Sequence, residues 1–262
     1  MNHKGILVVS FGTSFPETRR KTIDAIEADL RTAFADRAFY QAFSSTFIVR
    51  KLRERNMPVP YVTEALDRAL AEGITDLLVQ PTYLLHAQEM EKLQETLETY
   101  RGRFEMIRVG KTLLAEDRDL QEIAACLPQM YPMTEKKENV LVLMGHGTAH
   151  SYNNIYQKID VLLAEKEPHI LIGTVEAKPD LEDVLRQIRE IASKQTVAHV
   201  YLAPFLVVAG DHAVHDMASE EEDSWQSRIT AAGFETSSIL KGLGEFSEIR
   251  NMYIRHAKEA LD

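Results

Sequence analysis

The chain has 262 residues, 45% hydrophobic and 27% charged, the balance of an ordinary soluble protein of one large or two average domains. Its 40 acidic against 30 basic side chains give a net charge of -10 with no Lys/Arg run, which argues against nucleic acid or an anionic membrane as partner. A lone cysteine, Cys126, allows neither an intrachain disulfide nor a thiolate zinc cluster, and the first apolar run stops at Gly12, too short to span a membrane and without a signal-peptide cleavage pattern, so a cytoplasmic protein is expected.

Strand and helix signals alternate along the chain. GILVVSF is a continuous apolar run, the mark of a strand covered on both faces. PETRRKTIDAIEADL reads as one helix, with Ile23, Ile26 and Leu30 at helical spacing and Ser14 as N-cap. AFYQAFS is strand-like, TEALDRALAEG a helix opened by Thr63 and closed by Gly73, and TDLLVQPTYLL a strand. AQEMEKLQETLETY puts Met90, Leu93, Leu97 and Tyr100 on one helical face. FEMIRVG is a strand, and EDRDLQEIAACLPQM a helix whose apolar face carries Cys126 as a buried structural thiol. YPMTEKKEN interrupts the pattern, and residues 132–138 are expected to form a linker. Beyond it come VLVLMG as strand, YNNIYQKIDVLLAEKE as helix and HILIGTVE as strand. PDLEDVLRQIREIAS follows as a helix with Pro179 in its first turn and Leu181, Val184, Leu185, Ile188 and Ile191 on one stripe. VAHVYLAPFLVV, SWQSRITAAG, FETSSIL and SEIRNMYIRHAKEAL complete the alternation.

The pattern predicts an α/β protein of two similar doubly wound parallel-sheet domains, residues 1–131 and 139–262, facing each other across a cleft, with the last helix able to pack on the first domain. The halves also match in detail. An offset of 135 lays ILVVSFGTS on VLVLMGHGTA and sets Phe11 against His146; an offset of 123 lays Pro81 on Pro204 and sets Glu89 against His212.

In LVLMGHGTAH the imidazole of His146 stands between Gly145 and Gly147 at the end of a buried strand, where open α/β sheets bind ligands and where glycines let a large ligand approach. Glu176 follows 30 residues later and His212 a further 36, spacings that fit one ligand from each of three strand ends rather than a local clip. Two imidazoles and a carboxylate form an open set for a divalent first-row metal. Other readings stand beside this one. Glu176 could serve a helix N-terminus, His215 could replace His212, Asp211 could orient an imidazole or cap a helix, and Glu89 could be a solvated helix-start carboxylate. GLGEF is too short for a nucleotide site, and the chain carries no GxGxxG, P-loop or GxSxG motif.

Taken in order, ILVVSFGTS, MGHGTAH, TVEAKPD, VVAGDHAVHDMASEEEDSW and GLGEFSEIR resemble the sirohydrochlorin cobalt chelatases of the anaerobic cobalamin pathway (the CbiK type) over nearly the whole chain. The resemblance implies the class II chelatase fold and a lyase that inserts Co2+, with Fe2+ or Ni2+ as alternatives, into sirohydrochlorin without a nucleotide, releasing two protons. It implies His146 as metal ligand and proton acceptor, Glu176 and His212 as further ligands, and Glu89 as a second catalytic carboxylate. Glu89 lies in QEMEK where the family reads DEYEK, so Gln88 stands in place of an aspartate. The turns at Ser10, Phe11 and Gly12, at Gly145 and Gly147, and at Gly210 would then bind the tetrapyrrole. Because one imidazole nitrogen cannot be ligand and base at once, metal handover must free His146 for proton transfer, or Glu89 must share it. Sirohydrochlorin carries many carboxylates, for which Arg50, Lys51 and Arg53 in FIVRKLRER are the available cations; a solvated helix face is their alternative role. The expected partner is this small molecule, with no nucleic acid or membrane and with a homo-oligomer left open. Rival readings are an iron or other-metal chelatase, a non-catalytic tetrapyrrole or metal carrier, and an unrelated two-domain ligand-binding protein.

Overall fold

Runs apolar enough to be covered on both faces give each half of the chain a four-stranded parallel sheet. The computed structural model describes residues 3–262. The chain runs β1 (Lys4–Ser10), α1 (Pro16–Lys21), α2 (Ile23–Ala33), β2 (Ala38–Phe43), α3 (Thr46–Glu54), α4 (Val62–Ala71), β3 (Asp76–Pro81), α5 (Gln88–Glu98) and β4 (Met106–Val109). It continues α6 (Asp117–Met130), β5 (Asn139–Gly145), α7 (Asn154–Lys166), β6 (Ile170–Thr174), α8 (Leu181–Lys194), β7 (His199–Pro204), α9 (Trp225–Ala231), β8 (Thr236–Ser238) and α10 (Ser247–Glu259). Two compact units result: the chain up to Ala115 together with Ser247–Asp262, and Glu116–Phe246. Thus α6 belongs to the second unit and α10 to the first. No helix among the described residues is long and apolar enough to cross a membrane.

The first sheet has the order β2-β1-β3-β4 and the second β6-β5-β7-β8, all parallel. This is the doubly wound arrangement, whose ligand position lies past the carboxyl ends of the central strands. The registers correspond residue for residue. Val9 pairs with Pro81 in the first sheet and Met144 with Pro204 in the second, which reproduces both offsets seen in the sequence. Each sheet packs its own core: Leu7, Val9, Leu77, Val79, Leu66 and Leu93 belong to one cluster, and Val142, Met144, Leu202, Val184, Ile188 and Trp225 to another. Trp225 is 5% exposed, so it anchors α9 in the core.

Several local expectations are corrected. The helix expected after β1 is broken into α1 and α2 at Thr22, whose buried hydroxyl donates to the Thr18 carbonyl at 2.6 Å while its backbone is distorted within the right-handed region (φ -114°, ψ -79°). A side chain bonding back to the i-4 carbonyl bends a helix, and here it turns a helix without buried residues into one that buries Ile23, Ile26 and Leu30. Phe15, not Ser14, occupies the cap position of α1. Tyr61 caps α4, with Thr63 already inside it, and Gly73 closes it at φ +81°. Pro179 precedes α8 rather than lying in its first turn; Asp180 is the cap and accepts from the Asp183 N–H at 3.1 Å. Cys126 sits half-buried at the edge of the apolar face of α6. Residues 132–135 wind into a 3-10 turn with Thr134 buried. Finally, α10 is bound to the first unit by Arg250–Asp29 (2.6 Å) and by the Tyr253 hydroxyl, which donates to the Thr82 carbonyl at 2.9 Å.

Candidate active site

Because β5, β6 and β7 are parallel neighbours, the turns that follow them leave from one end of the sheet. His146 is the first residue after β5 and Glu176 the second after β6. The ladder continues into both turns: Val175 N–H donates to the Gly145 carbonyl at 3.1 Å and Glu176 N–H to the His146 carbonyl at 2.9 Å. The Glu176 carboxylate thereby comes within 3.6 Å of His146 Nδ1. His212 lies eight residues past the end of β7, yet its ring meets that of His146 edge to face, centroids 4.5 Å apart at 89°. The three predicted metal-ligand residues are therefore neighbours of one imidazole. Among the described residues no group of three His, Cys, Asp or Glu side chains stands in metal-holding geometry, so the set is gathered but not closed.

The segment between β7 and His212 is held by the GLGE stretch. Leu243 N–H donates to Leu206 O at 2.8 Å and Gly244 N–H to Val207 O at 3.0 Å, while a Cβ at Gly242 would lie 2.7 Å from Val207 O. GLGE is thus a backbone clamp, and the glycine is there because two chain segments touch. His212 then opens a π-helical turn, Ala213–Met217. Such turns are common at functional sites.

The two imidazoles share a tautomer. His146 Nδ1 is 2.7 Å from the Gly147 carbonyl oxygen and His212 Nδ1 is 2.7 Å from a carboxylate oxygen of Asp216. Both partners only accept, so both Nδ1 atoms carry the hydrogen and both Nε2 atoms keep a lone pair. Asp216 is the orienting residue of His212, and no sequence motif singled it out. Asp211, expected to orient an imidazole or cap a helix, lies beside the imidazole of His215, 3.5 Å from its Nε2, with the two side chains 77% and 60% exposed. Glu176, 56% exposed, is not the cap of α8, because Asp180 and Asp183 perform that task.

The glycines flanking His146 answer first to packing. A Cβ at Gly145 would come within 2.4 Å of the Tyr156 ring; at Gly147, where φ is +83°, it would lie 2.9 Å from the Thr174 hydroxyl and the Ala177 nitrogen. Tyr156, buried in α7, sets its hydroxyl beside the backbone at His146 and Gly147. Burial pushes that hydroxyl up to about 12, so it stays neutral. Gly210, by contrast, faces open space, with Val208 4.0 Å from a built Cβ.

In the first unit the equivalent strand end carries Ser10, Phe11 and Gly12. Ser10 is 1% exposed and accepts a hydrogen bond from Thr82 at 2.8 Å, Phe11 is 49% exposed, and Gly12 turns at φ +102° against the Phe43 ring. Glu89 lies in the first turn of α5, half-buried, and accepts from Lys92 at 2.9 Å. Of the other histidines, His169 is buried and donates Nε2–H to the Thr134 carbonyl at 2.8 Å, and His256 is fully buried in α10.

A family model for cobalt chelatase (CbiK) matches residues 4–262. The sirohydrochlorin cobaltochelatase of Salmonella typhimurium is 35% identical over 260 residues, covering 99% of this chain and 97% of that protein. The sirohydrochlorin cobaltochelatase CbiKC of Nitratidesulfovibrio vulgaris is 29% identical over 263 residues, covering 100% and 92%. Among solved structures, SirB from Bacillus subtilis with Fe3+ aligns with a TM-score of 0.64 at 14% identity, covering 98% of this chain and 95% of SirB, a likeness of fold.

Proposed function

The chain belongs to the cobalt chelatase (CbiK) family, and on that premise we propose how its residues insert Co2+ into sirohydrochlorin, the step it performs in cobalamin biosynthesis. Insertion requires the ion to shed water and two pyrrole N–H protons to leave. One divalent ion enters as two protons depart, so the exchange balances in charge. The single observation that carries the site assignment is the shared tautomer of His146 and His212, which leaves two Nε2 lone pairs on rings 4.5 Å apart. These nitrogens replace water on the incoming ion, and the exposed carboxylate of Glu176 supplies charge and a third ligand. Three protein ligands leave positions for the ring nitrogens. As the ion passes to the ring, His146 Nε2 is released and takes a pyrrole proton; Glu89 takes the second.

The test mixes purified protein, sirohydrochlorin and Co2+ and follows the visible spectrum. Wild type is expected to accelerate the change over the metal-only control, and His146→Ala and His212→Ala to abolish that acceleration. Glu89→Gln is expected to lower kcat while cobalt binding stays intact. Binding of ring or ion without acceleration by wild type would replace the enzyme with a carrier.

A further inference from the structure

Exposed aromatic side chains gather past the carboxyl ends of β1 and β2: Phe11, Phe15 (36% exposed) and Phe47. Phe11 follows β1 and is 49% exposed; Phe47, in the first turn of α3, is 58% exposed. The loops after these two strands are joined by backbone hydrogen bonds, Ser44 N–H to Ser10 O at 2.9 Å and Ser45 N–H to Phe11 O at 3.2 Å. Ser45 fixes the start of α3 by accepting from Ile48 N–H at 3.3 Å. Two cations flank one ring: the Arg50 guanidinium and the Lys51 ammonium each lie 5.8 Å from the Phe47 centroid. Their neighbours are committed elsewhere, Arg53 to Glu64 at 2.6 Å and Arg55 to the Ser14 carbonyl at 3.1 Å. Among the described residues neither Arg50 nor Lys51 has a carboxylate partner, although acidic groups outnumber basic ones 40 to 30 in this chain.

An exposed ring with two cations beside it that lack carboxylate partners is complementary to a flat conjugated molecule with carboxylates on its rim. The aromatic face takes the apolar edge, guanidinium grips a carboxylate through two parallel hydrogen bonds, and ammonium adds a point charge. We infer that Phe47, Arg50 and Lys51 form a carboxylate-binding subsite for the tetrapyrrole; this rests on the chelatase reading above. Arg53, one of the three cations singled out in the sequence, is left out because Glu64 already neutralises it.

The experiment measures initial rates of cobalt insertion against sirohydrochlorin and against Co2+ separately, for wild type, Phe47→Ala and the double variant Arg50→Gln/Lys51→Gln. The double variant is expected to raise KM for the ring about tenfold, as loss of charge-assisted contacts does, with KM for Co2+ and kcat changed less than about twofold. Phe47→Ala is expected to shift the same parameter in the same direction. Wild type gives a second reading that needs no variant to fold: added KCl raises its KM for the ring, and the double variant loses most of that salt dependence. An active wild type whose ring KM is unaltered by these substitutions, or whose salt dependence survives in the double variant, overturns the subsite alone. A wild type that accelerates nothing overturns the chelatase reading and the subsite with it.

Discussion

At the scale of single residues, the candidate site is organised by hydrogen-bond acceptors placed behind its two imidazoles. Gly147 O and the Asp216 carboxylate hold the Nδ1 hydrogens of two imidazoles, and the Tyr156 hydroxyl sits beside the turn that carries one of them. Removing such an orienting group typically weakens metal binding 10- to 100-fold, roughly. Asp216→Ala is accordingly expected to lower cobalt affinity by about that factor in a direct titration while KM for sirohydrochlorin stays near the wild-type value; an unchanged cobalt affinity would remove Asp216 from the account. Tyr156→Phe removes a buried hydroxyl from beside that turn. It is expected to cost about 1–3 kcal/mol in urea unfolding and to weaken cobalt binding; wild-type stability would show that the hydroxyl does not hold the turn. His146, Glu176 and His212 were legible in the sequence because each follows an apolar run. Asp216 was not, because AGDHAVHDM offers two pairs at the same four-residue spacing, Asp211 with His215 and His212 with Asp216, and the pattern does not say which of them orients the imidazole at the site.

The elements show where periodicity informs and where it stops. Fully buried strands such as β1 and β5 announce themselves as unbroken apolar runs, and α8 by its stripe from Leu181 to Ile188. Breaks inside helices do not: α1 and α2 share one apolar rhythm, and only the buried Thr22 hydroxyl, turned back on Thr18, separates them. The same helix carries a polar exception to its buried face. Glu27 is 5% exposed, and burial, with Asp24 adding and Arg19 and Arg31 opposing, pushes its carboxyl up from 4.5 to about 7. Between those values the folded chain keeps a proton that the unfolded chain has released, so stability falls as pH rises through this window and levels off above it. Glu27→Gln removes that loss. The variant is expected to be more stable than wild type above about pH 7, by up to about 3 kcal/mol, with the difference closing toward pH 4.5. Urea unfolding across this range checks it; a difference that grows on acidification would contradict it.

On the scale of the whole molecule, one sheet topology is used twice and equipped differently. The paired registers of Val9 with Pro81 and Met144 with Pro204 mark the equivalence, but His146 and His212 answer to Phe11 and Glu89. The doubling was visible in sequence offsets because strands keep register. Ownership of α6 was not, because a linker-like composition at YPMTEKKEN says nothing about which sheet a neighbouring helix covers, whereas packing of the last helix on the first domain was among the expectations. Both α6 and α10 pack with the unit on the far side of the chain's apparent midpoint. Ending the chain at Phe246 removes the fully buried Tyr253 and its bond to Thr82, and with them part of the first unit's core. That truncation is expected to unfold the first unit, seen as a loss of helical circular dichroism, while the emission of Trp225, the one tryptophan, which lies in the second unit, stays native. Native-like dichroism after truncation would contradict this assignment of α10.

The central claim is that two imidazoles present Nε2 to the incoming cobalt. The most direct measurement is a crystal structure of the protein soaked with Co2+, with data collected at the cobalt absorption edge. The account predicts an anomalous peak within bonding distance of Nε2 of both His146 and His212. A peak on Nδ1 of either ring, or cobalt held at His215 and Asp211 instead, would contradict it.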